Sequence, residues 1–319
     1  MIKGHGDDTY QYDGITSDFS SNICTHHTHQ TLMNHLAAHP KLISHYPEPE
    51  AWSLEKRIAE HHGLSPQQVI VTNGATEAIY LIAQTFRLRP VIPTPTFSEY
   101  EDACKLFPHT SNDRMLWLCN PNNPTGEIYD QTHLDYLIAS HSLTVIDQSY
   151  EHYANGPVCC DSVAINLLHI HSMTKTYGVP GLRLGYITAH ESLTAQIRQH
   201  LRPWSVSSLA IEAGKFLLQH DELICKPDLR EAQRLRNLLS KIPGITVMPT
   251  QTNFMLCKIA NRTAAELKDF LALEHHMLIR DASNFRGLTP HHFRIAAQTP
   301  TENDALVSAI RKFMNNNKE

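Results

Sequence analysis

Ser172-Met-Thr-Lys-Thr-Tyr-Gly-Val-Pro-Gly-Leu-Arg-Leu-Gly-Tyr186 is the stretch on which the reading of this chain turns. It follows an apolar, strand-like run over residues 163–170, sets hydroxyls at Ser172, Thr174 and Thr176 around Lys175, and places Arg183 eight residues further on. A lysine held near a fixed guanidinium and out of bulk water has a depressed pKa, and its neutral amine condenses with an aldehyde. Pyridoxal phosphate is such an aldehyde. Its phosphate matches the hydroxyls and the arginine, so one short segment can hold both ends of that cofactor. Spacing alone leaves a second reading open, a surface loop with an ordinary solvated lysine.

On either side of this stretch the chain alternates short strands with helices. Residues 69–71 read as a buried strand, and Thr72-Asn-Gly-Ala-Thr76 as the turn into a helix that runs to about Phe86. Further strands are expected over 91–92, 115–119, 143–146 and 184–189, with helices over 51–62, from Ser98 to about Leu106, and over 131–140. This alternation predicts an α/β fold: a mostly parallel sheet with helices on both faces, in which ligands collect at the carboxyl ends of the strands. Asn73, Asn123, Asp147, Tyr150 and Lys175 all follow strand-like runs and so fall at that edge. Taken singly, each reads more readily as an Asx turn or a loop polar group; the set is what points to a site. The turn at Gly74, Ala75 and Thr76 adds helix N–H groups without internal partners, a cradle for phosphate.

Residues 1–50 are polar and turn-rich and read as an amino-terminal arm, with 18–23 and 46–50 its most structured pieces. Residues 51–219 form the expected large domain. From residue 220 to 319 the texture changes to a smaller α+β domain, with strands over 245–248, 252–259, 278–280 and 292–296 and helices over 229–240, 263–273 and 302–315. Arg280 and Arg294 end or interrupt two of those strands.

Composition narrows the possible partners. At 319 residues the chain can bury a substantial core, and its 41% hydrophobic and 18% charged residues are ordinary for a soluble protein. A net charge of -5 and a pI near 6.5 leave no basic field for nucleic acid or an anionic membrane. The segment from Met1 to Asp8 has no apolar core of a signal peptide, and no apolar run is long enough to span a bilayer, so the expected location is the cytoplasm. Seven cysteines without a C-x-x-C pair support neither a disulfide framework nor a zinc site. His35 and His39 stand i, i+4, as in a metal site. With no acidic or cysteine partner at a diagnostic spacing they read as polar surface, and no metal is expected.

Asn120-Pro-Asn-Asn-Pro-Thr-Gly126 and Ser172-x-Thr-Lys175 with Arg183 together resemble the fold-type I pyridoxal-phosphate enzymes of the class I/II aminotransferase superfamily, and the likeness covers nearly the whole chain. It implies a fold-type I PLP-dependent transferase fold. Within that superfamily, His5-Gly6, Asp18-Phe-Ser-Ser-Asn22, Pro203-Trp-Ser-Val206 and Leu278-Ile-Arg-Asp-Ala-Ser-Asn-Phe-Arg-Gly-Leu288 most resemble the L-threonine-O-3-phosphate decarboxylases of cobalamin synthesis, with histidinol-phosphate aminotransferases next. Two features depart from the decarboxylase pattern. The segment between Phe107 and Trp117 is shorter, and Gln298 stands where many decarboxylases carry a basic residue.

The resemblance implies pyridoxal 5'-phosphate as cofactor, with Lys175 bonded to its aldehyde carbon and Asp147 at its ring nitrogen. Asn123 and Tyr150 would bind the 3-oxygen, and Phe97 would stack on the ring. The phosphate would be held by Gly74, Ala75, Thr76, Ser172, Thr174 and Arg183, and by Tyr46 arriving from a second subunit, so the resemblance implies a homodimer with a shared site. His5, Asn22, Asn123, Arg280 and Arg294 would hold a small amino-acid substrate, a phosphorylated one. The implied reaction is decarboxylation of O-phospho-L-threonine to 1-aminopropan-2-yl phosphate and CO2. The alternative is an aminotransferase acting on histidinol phosphate or a related amino acid. A non-catalytic module on this fold would have lost Lys175 or Asp147, or would carry an appended DNA-binding domain; neither holds here.

Overall fold

Leu143–Asp147 and Leu167–His171 are strands without an exposed residue, the pattern expected where helices cover both faces of a parallel sheet. The computed structural model to which they belong describes residues 8–24, 29–154 and 164–315. Its strands in chain order are β1 (Ser17–Asp18), β2 (Val69–Thr72), β3 (Arg89–Val91), β4 (Arg114–Cys119), β5 (Leu143–Asp147), β6 (Leu167–His171), β7 (Gly185–Ala189), β8 (Ile245–Val247), β9 (Phe254–Ile259), β10 (Met277–Leu278), β11 (Arg280–Asp281) and β12 (His292–Ala296).

The main sheet has the order β2-β7-β6-β5-β4-β3, parallel throughout except that β7 runs against both of its neighbours. Thus β2, β4, β5 and β6 all deliver their last residues to one edge. Ile70, Ile79, Ile82, Trp117, Val145, Leu168 and Ile187 pack one face of the sheet. Trp117 stacks on Tyr100 with ring centres 5.4 Å apart. Truncating either aromatic to alanine would cost about 3–5 kcal/mol.

A second, antiparallel sheet of order β11-β12-β9-β8 has its own core, in which Ile295 of β12 meets Leu235, Leu271, Leu306 and Phe313 from the helices Leu229–Leu239, Ala264–His275 and Pro300–Asn315. The arm enters this unit: β1 pairs in parallel with β10, and the Phe19 side chain is buried in the small core. The Phe19 N–H donates to the Leu278 carbonyl at 2.8 Å, and the Ala296 N–H donates to the Phe19 carbonyl at 2.9 Å.

Three expectations need correction. The arm contains a helix, Gln30–Ala37, which buries Leu32 in the core beside Leu54 and Ile58 and packs Leu36 against it; the turn-rich, polar segments around it hid it. The strand before Lys175 begins at Leu167, and Val163 lies outside the described residues. The single strand expected over 278–280 is two, because Met277 and Leu278 serve the arm while Arg280 and Asp281 serve β12. No helix among the described residues is long and apolar enough to cross a membrane. The described cysteines, Cys24, Cys104, Cys119, Cys225 and Cys257, are free thiols.

Candidate active site

The edge reached by β2, β4, β5 and β6 opens into a cavity of about 270 Å³. Lys175 sits on a one-turn helix, Met173–Thr176, that begins two residues past β6, and its Nζ lies 5.9 Å from the centre of the Tyr150 ring. Ser172 and Thr174 line the cavity beside it and are buried.

At one end the backbone is shaped for an anion. Gly74 opens the helix Gly74–Phe86 with φ +78°, and a Cβ there would stand 2.6 Å from Arg183 Nη2. Only glycine both adopts that φ freely and leaves the guanidinium its place. Arg183 itself is left-handed at φ 53°, a conformation that costs a non-glycine residue on the order of 1 kcal/mol and tends to persist where function requires it. Ala75 and Thr76 line the cavity at this helix start, so free N–H groups, two hydroxyls and a guanidinium converge there. That donor set fits a phosphate.

At the other end Asp147 is buried. Its Oδ1 accepts from the Ser149 N–H at 2.9 Å and its Oδ2 from the Tyr100 hydroxyl at 2.7 Å. Burial pushes its carboxyl above the usual range, opposed by the bonds from Ser149 and Tyr100. Among the described residues it has no ion pair, so a protonated ring nitrogen fits the position as the missing cation. Phe97 lines the cavity and meets the Tyr100 ring edge-on at 5.8 Å.

Polar groups close the remaining side. Tyr150 accepts from Asn22 Nδ2 at 3.3 Å, and burial raises its hydroxyl pKa to about 12 against the opposing charge of Arg294. Arg294 donates to Asn123 Oδ1 at 2.6 Å and to the Ser20 carbonyl, while its Nε and the Asn22 Oδ1 are buried without partners among the described residues. Arg280 stands opposite Arg294 in the β11–β12 register and donates to Asn284 Oδ1 at 2.8 Å; it is not among the residues lining the cavity. Burial, then the neighbouring Arg294 charge, lower its pKa to about 10. Neither arginine pairs with a described carboxylate, although both are buried.

Tyr46 is 84% exposed, 5.4 Å from the Trp204 ring and outside the cavity of its own chain. His5 lies outside the described residues. Gln298, the expected departure, does not line the cavity; its Nε2 donates to the Asp18 carbonyl at 2.8 Å and so holds the arm strand. Tyr100 and Ser149 were missed as site residues. No local signal marked Tyr100, because Phe97 lies before the helix Glu99–Leu106 that carries it. His35 and His39 do have an acidic neighbour, Glu212, brought from the helix Ser208–Leu217. Its Oε1 lies 2.9 Å from His35 Nε2, a hydrogen bond between helices, and its Oε2 pairs with Lys215 Nζ at 2.7 Å within its own helix.

A family model for aminotransferases of class I and II matches residues 15–110 and 107–310. The two matched pieces meet where the chain was expected to be short. A putative threonine-phosphate decarboxylase of Caldanaerobacter subterraneus is 31% identical, over 84% of this chain and 83% of that protein. A histidinol-phosphate aminotransferase of Thermoanaerobacter pseudethanolicus is 29% identical over 85% of each. Among solved structures, the L-threonine-O-3-phosphate decarboxylase of Porphyromonas gingivalis superposes with a TM-score of 0.90 at 36% identity, covering 93% of this chain and 99% of that one.

Proposed function

This chain belongs to the aminotransferase class I and II family, and from that premise we propose that it is a pyridoxal-phosphate enzyme that decarboxylates O-phospho-L-threonine, working in the cytoplasm as a homodimer. One observation carries the choice of substrate: Arg280 and Arg294 are both buried, adjacent in register and without a described carboxylate partner. Two desolvated cations are costly until anions reach them, and O-phospho-L-threonine brings a carboxylate and a phosphate. Histidinol phosphate brings only the phosphate. The decarboxylase likeness at 36% identity supports the same choice.

Bound pyridoxal phosphate supplies an electron sink for the pair released when the bond from the α-carbon to the carboxylate breaks. The residues of this chain do the rest. Asp147 holds the proton at the ring nitrogen. Asn123, fixed by Arg294, and Tyr150, fixed by Asn22, orient the 3-oxygen. Arg183 and the start of the helix Gly74–Phe86 anchor the phosphate, and Lys175 Nζ delivers a proton to the α-carbon after CO2 leaves. Arg294 and Arg280 would clamp the substrate anions and so orient the substrate against the bound cofactor. For the dimer, the support is Tyr46, whose exposed ring beside Trp204 is free to reach a second copy.

The purified protein is to be mixed with O-phospho-L-threonine, and separately with histidinol phosphate plus 2-oxoglutarate. CO2 and 1-aminopropan-2-yl phosphate are expected from the first mixture. Glutamate from the second, with no CO2 from the first, would make the protein an aminotransferase.

A further inference from the structure

We infer that Tyr100 is a positioning residue for the cofactor's ring nitrogen: through its hydrogen bond to Asp147 it holds negative charge on the carboxylate and so keeps the shared proton on the ring. The inference rests on the pyridoxal-phosphate reading of the cavity and goes beyond it. Tyr100 has no exposed surface, and its hydroxyl lies 2.7 Å from Asp147 Oδ2. Its ring is fixed from two sides, stacked on Trp117 with an interplanar angle of 20° and edge-on to Phe97 at 82°. The other oxygen, Oδ1, is taken by the Ser149 N–H. The Ser149 hydroxyl also bonds the carboxylate, so Tyr100 is the donor to Oδ2 and Ser149 supplies the rest.

The physical step is a competition. A carboxylate facing a ring nitrogen in a dry site shares one proton with it, and every donor bonded to the carboxylate lowers the carboxylate's share. Tyr100 can serve only while it keeps its own proton, and burial together with the Asp147 charge holds it there. The other titratable groups around the carboxylate do not replace it. The Cys119 thiol is turned to the Pro121 carbonyl at 3.2 Å, and His171 is engaged by Glu151 at 3.2 Å and Thr188 at 3.1 Å. Tyr100 and Ser149, the latter through both its hydroxyl and its N–H, are therefore the groups bonded to Asp147 that oppose the effect of its burial.

Tyr100→Phe keeps the ring and its two aromatic contacts and removes only the hydroxyl. In protein reconstituted with ring-¹⁵N pyridoxal phosphate, the nitrogen resonance is expected to move from the protonated toward the unprotonated position. The affinity for pyridoxal phosphate, measured by equilibrium dialysis, should fall about tenfold or more, as for one lost hydrogen bond to a charged group. In an Asp147→Asn background the same substitution should add little, because the effect runs through the carboxylate. If Tyr100→Phe folds poorly, 3,5-difluorotyrosine at position 100 keeps the packing and strengthens the donor; it should move the resonance further toward the protonated position. An unchanged resonance and affinity in Tyr100→Phe, an equal loss in the Asp147→Asn background, or a difluorotyrosine shift in the wrong direction overturns the role of Tyr100. If Asp147→Asn itself leaves resonance and affinity unaltered, it is the cofactor's placement that fails.

Discussion

The two ends of the cavity are built differently. Asn123, Asp147 and Lys175 each lie within four residues of the carboxyl end of a strand, and those strands, β4, β5 and β6, are neighbours in one parallel sheet. Their spacing is set by the sheet itself. Asn22, Arg280 and Arg294 come instead from the arm and the second sheet, joined through the β1–β10 and β11–β12 pairings. An end fixed by adjacent strands suits what every reaction of the family shares, the cofactor. An end assembled from distant segments can change its substrate while leaving the first end intact.

Lys175→Ala offers the strongest way to break this division. It should abolish the visible absorbance of the bound cofactor and lower CO2 release by about a thousandfold or more; a retained band would remove the cofactor end altogether. Arg294→Lys touches both ends. A lysine cannot serve Asn123 Oδ1 and the Ser20 carbonyl with the same fork, so kcat/KM should fall by about 2–5 kcal/mol equivalent while the cofactor band remains. Arg280→Lys should raise KM more than it lowers kcat, and a changed absorbance spectrum in that variant would erase the distinction.

Acidification tests the cofactor end through Asp147. Its folded pKa is raised, so between the unfolded value and the raised one the fold binds the extra proton, and the apo protein gains stability from this group as pH falls. Cofactor affinity should move the opposite way, because a protonated Asp147 no longer pairs with the ring nitrogen. The visible band titrated against pH reads this, and Asp147→Asn should flatten its dependence. The smallest expected effect is Gln298→Ala, which removes the bond to the Asp18 carbonyl: a loss of about 1 kcal/mol in thermal unfolding, with the cofactor band unmoved.

The same division explains what could be read from the chain. Asp147 and Lys175 stand out because an apolar run followed by a polar residue is a local signal, and the sheet edge follows from it. The seat of Arg183 over Gly74 depends on left-handed backbone at both residues, and for the arginine no residue preference announces it. Tyr100 reaches Asp147 across 47 residues, and Glu212 reaches His35 across 177, pairings that periodicity does not encode. Gln298 stood out because it departs from the basic residue that many decarboxylases carry at that place. Its partner is the arm carbonyl, visible only once β1 has a place.

That place has a consequence for how the chain is made. Thr16 and its partner His276 are separated by 260 positions, so the arm leaves the ribosome long before its partner strand. The main sheet closes over residues 69–189 and can form while synthesis continues. Ser20 and Asn22 cannot be set beside Arg294 until about 270 further residues have been translated. A chain stalled before β10 would hold the cradle for the cofactor and lack the clamp for the substrate.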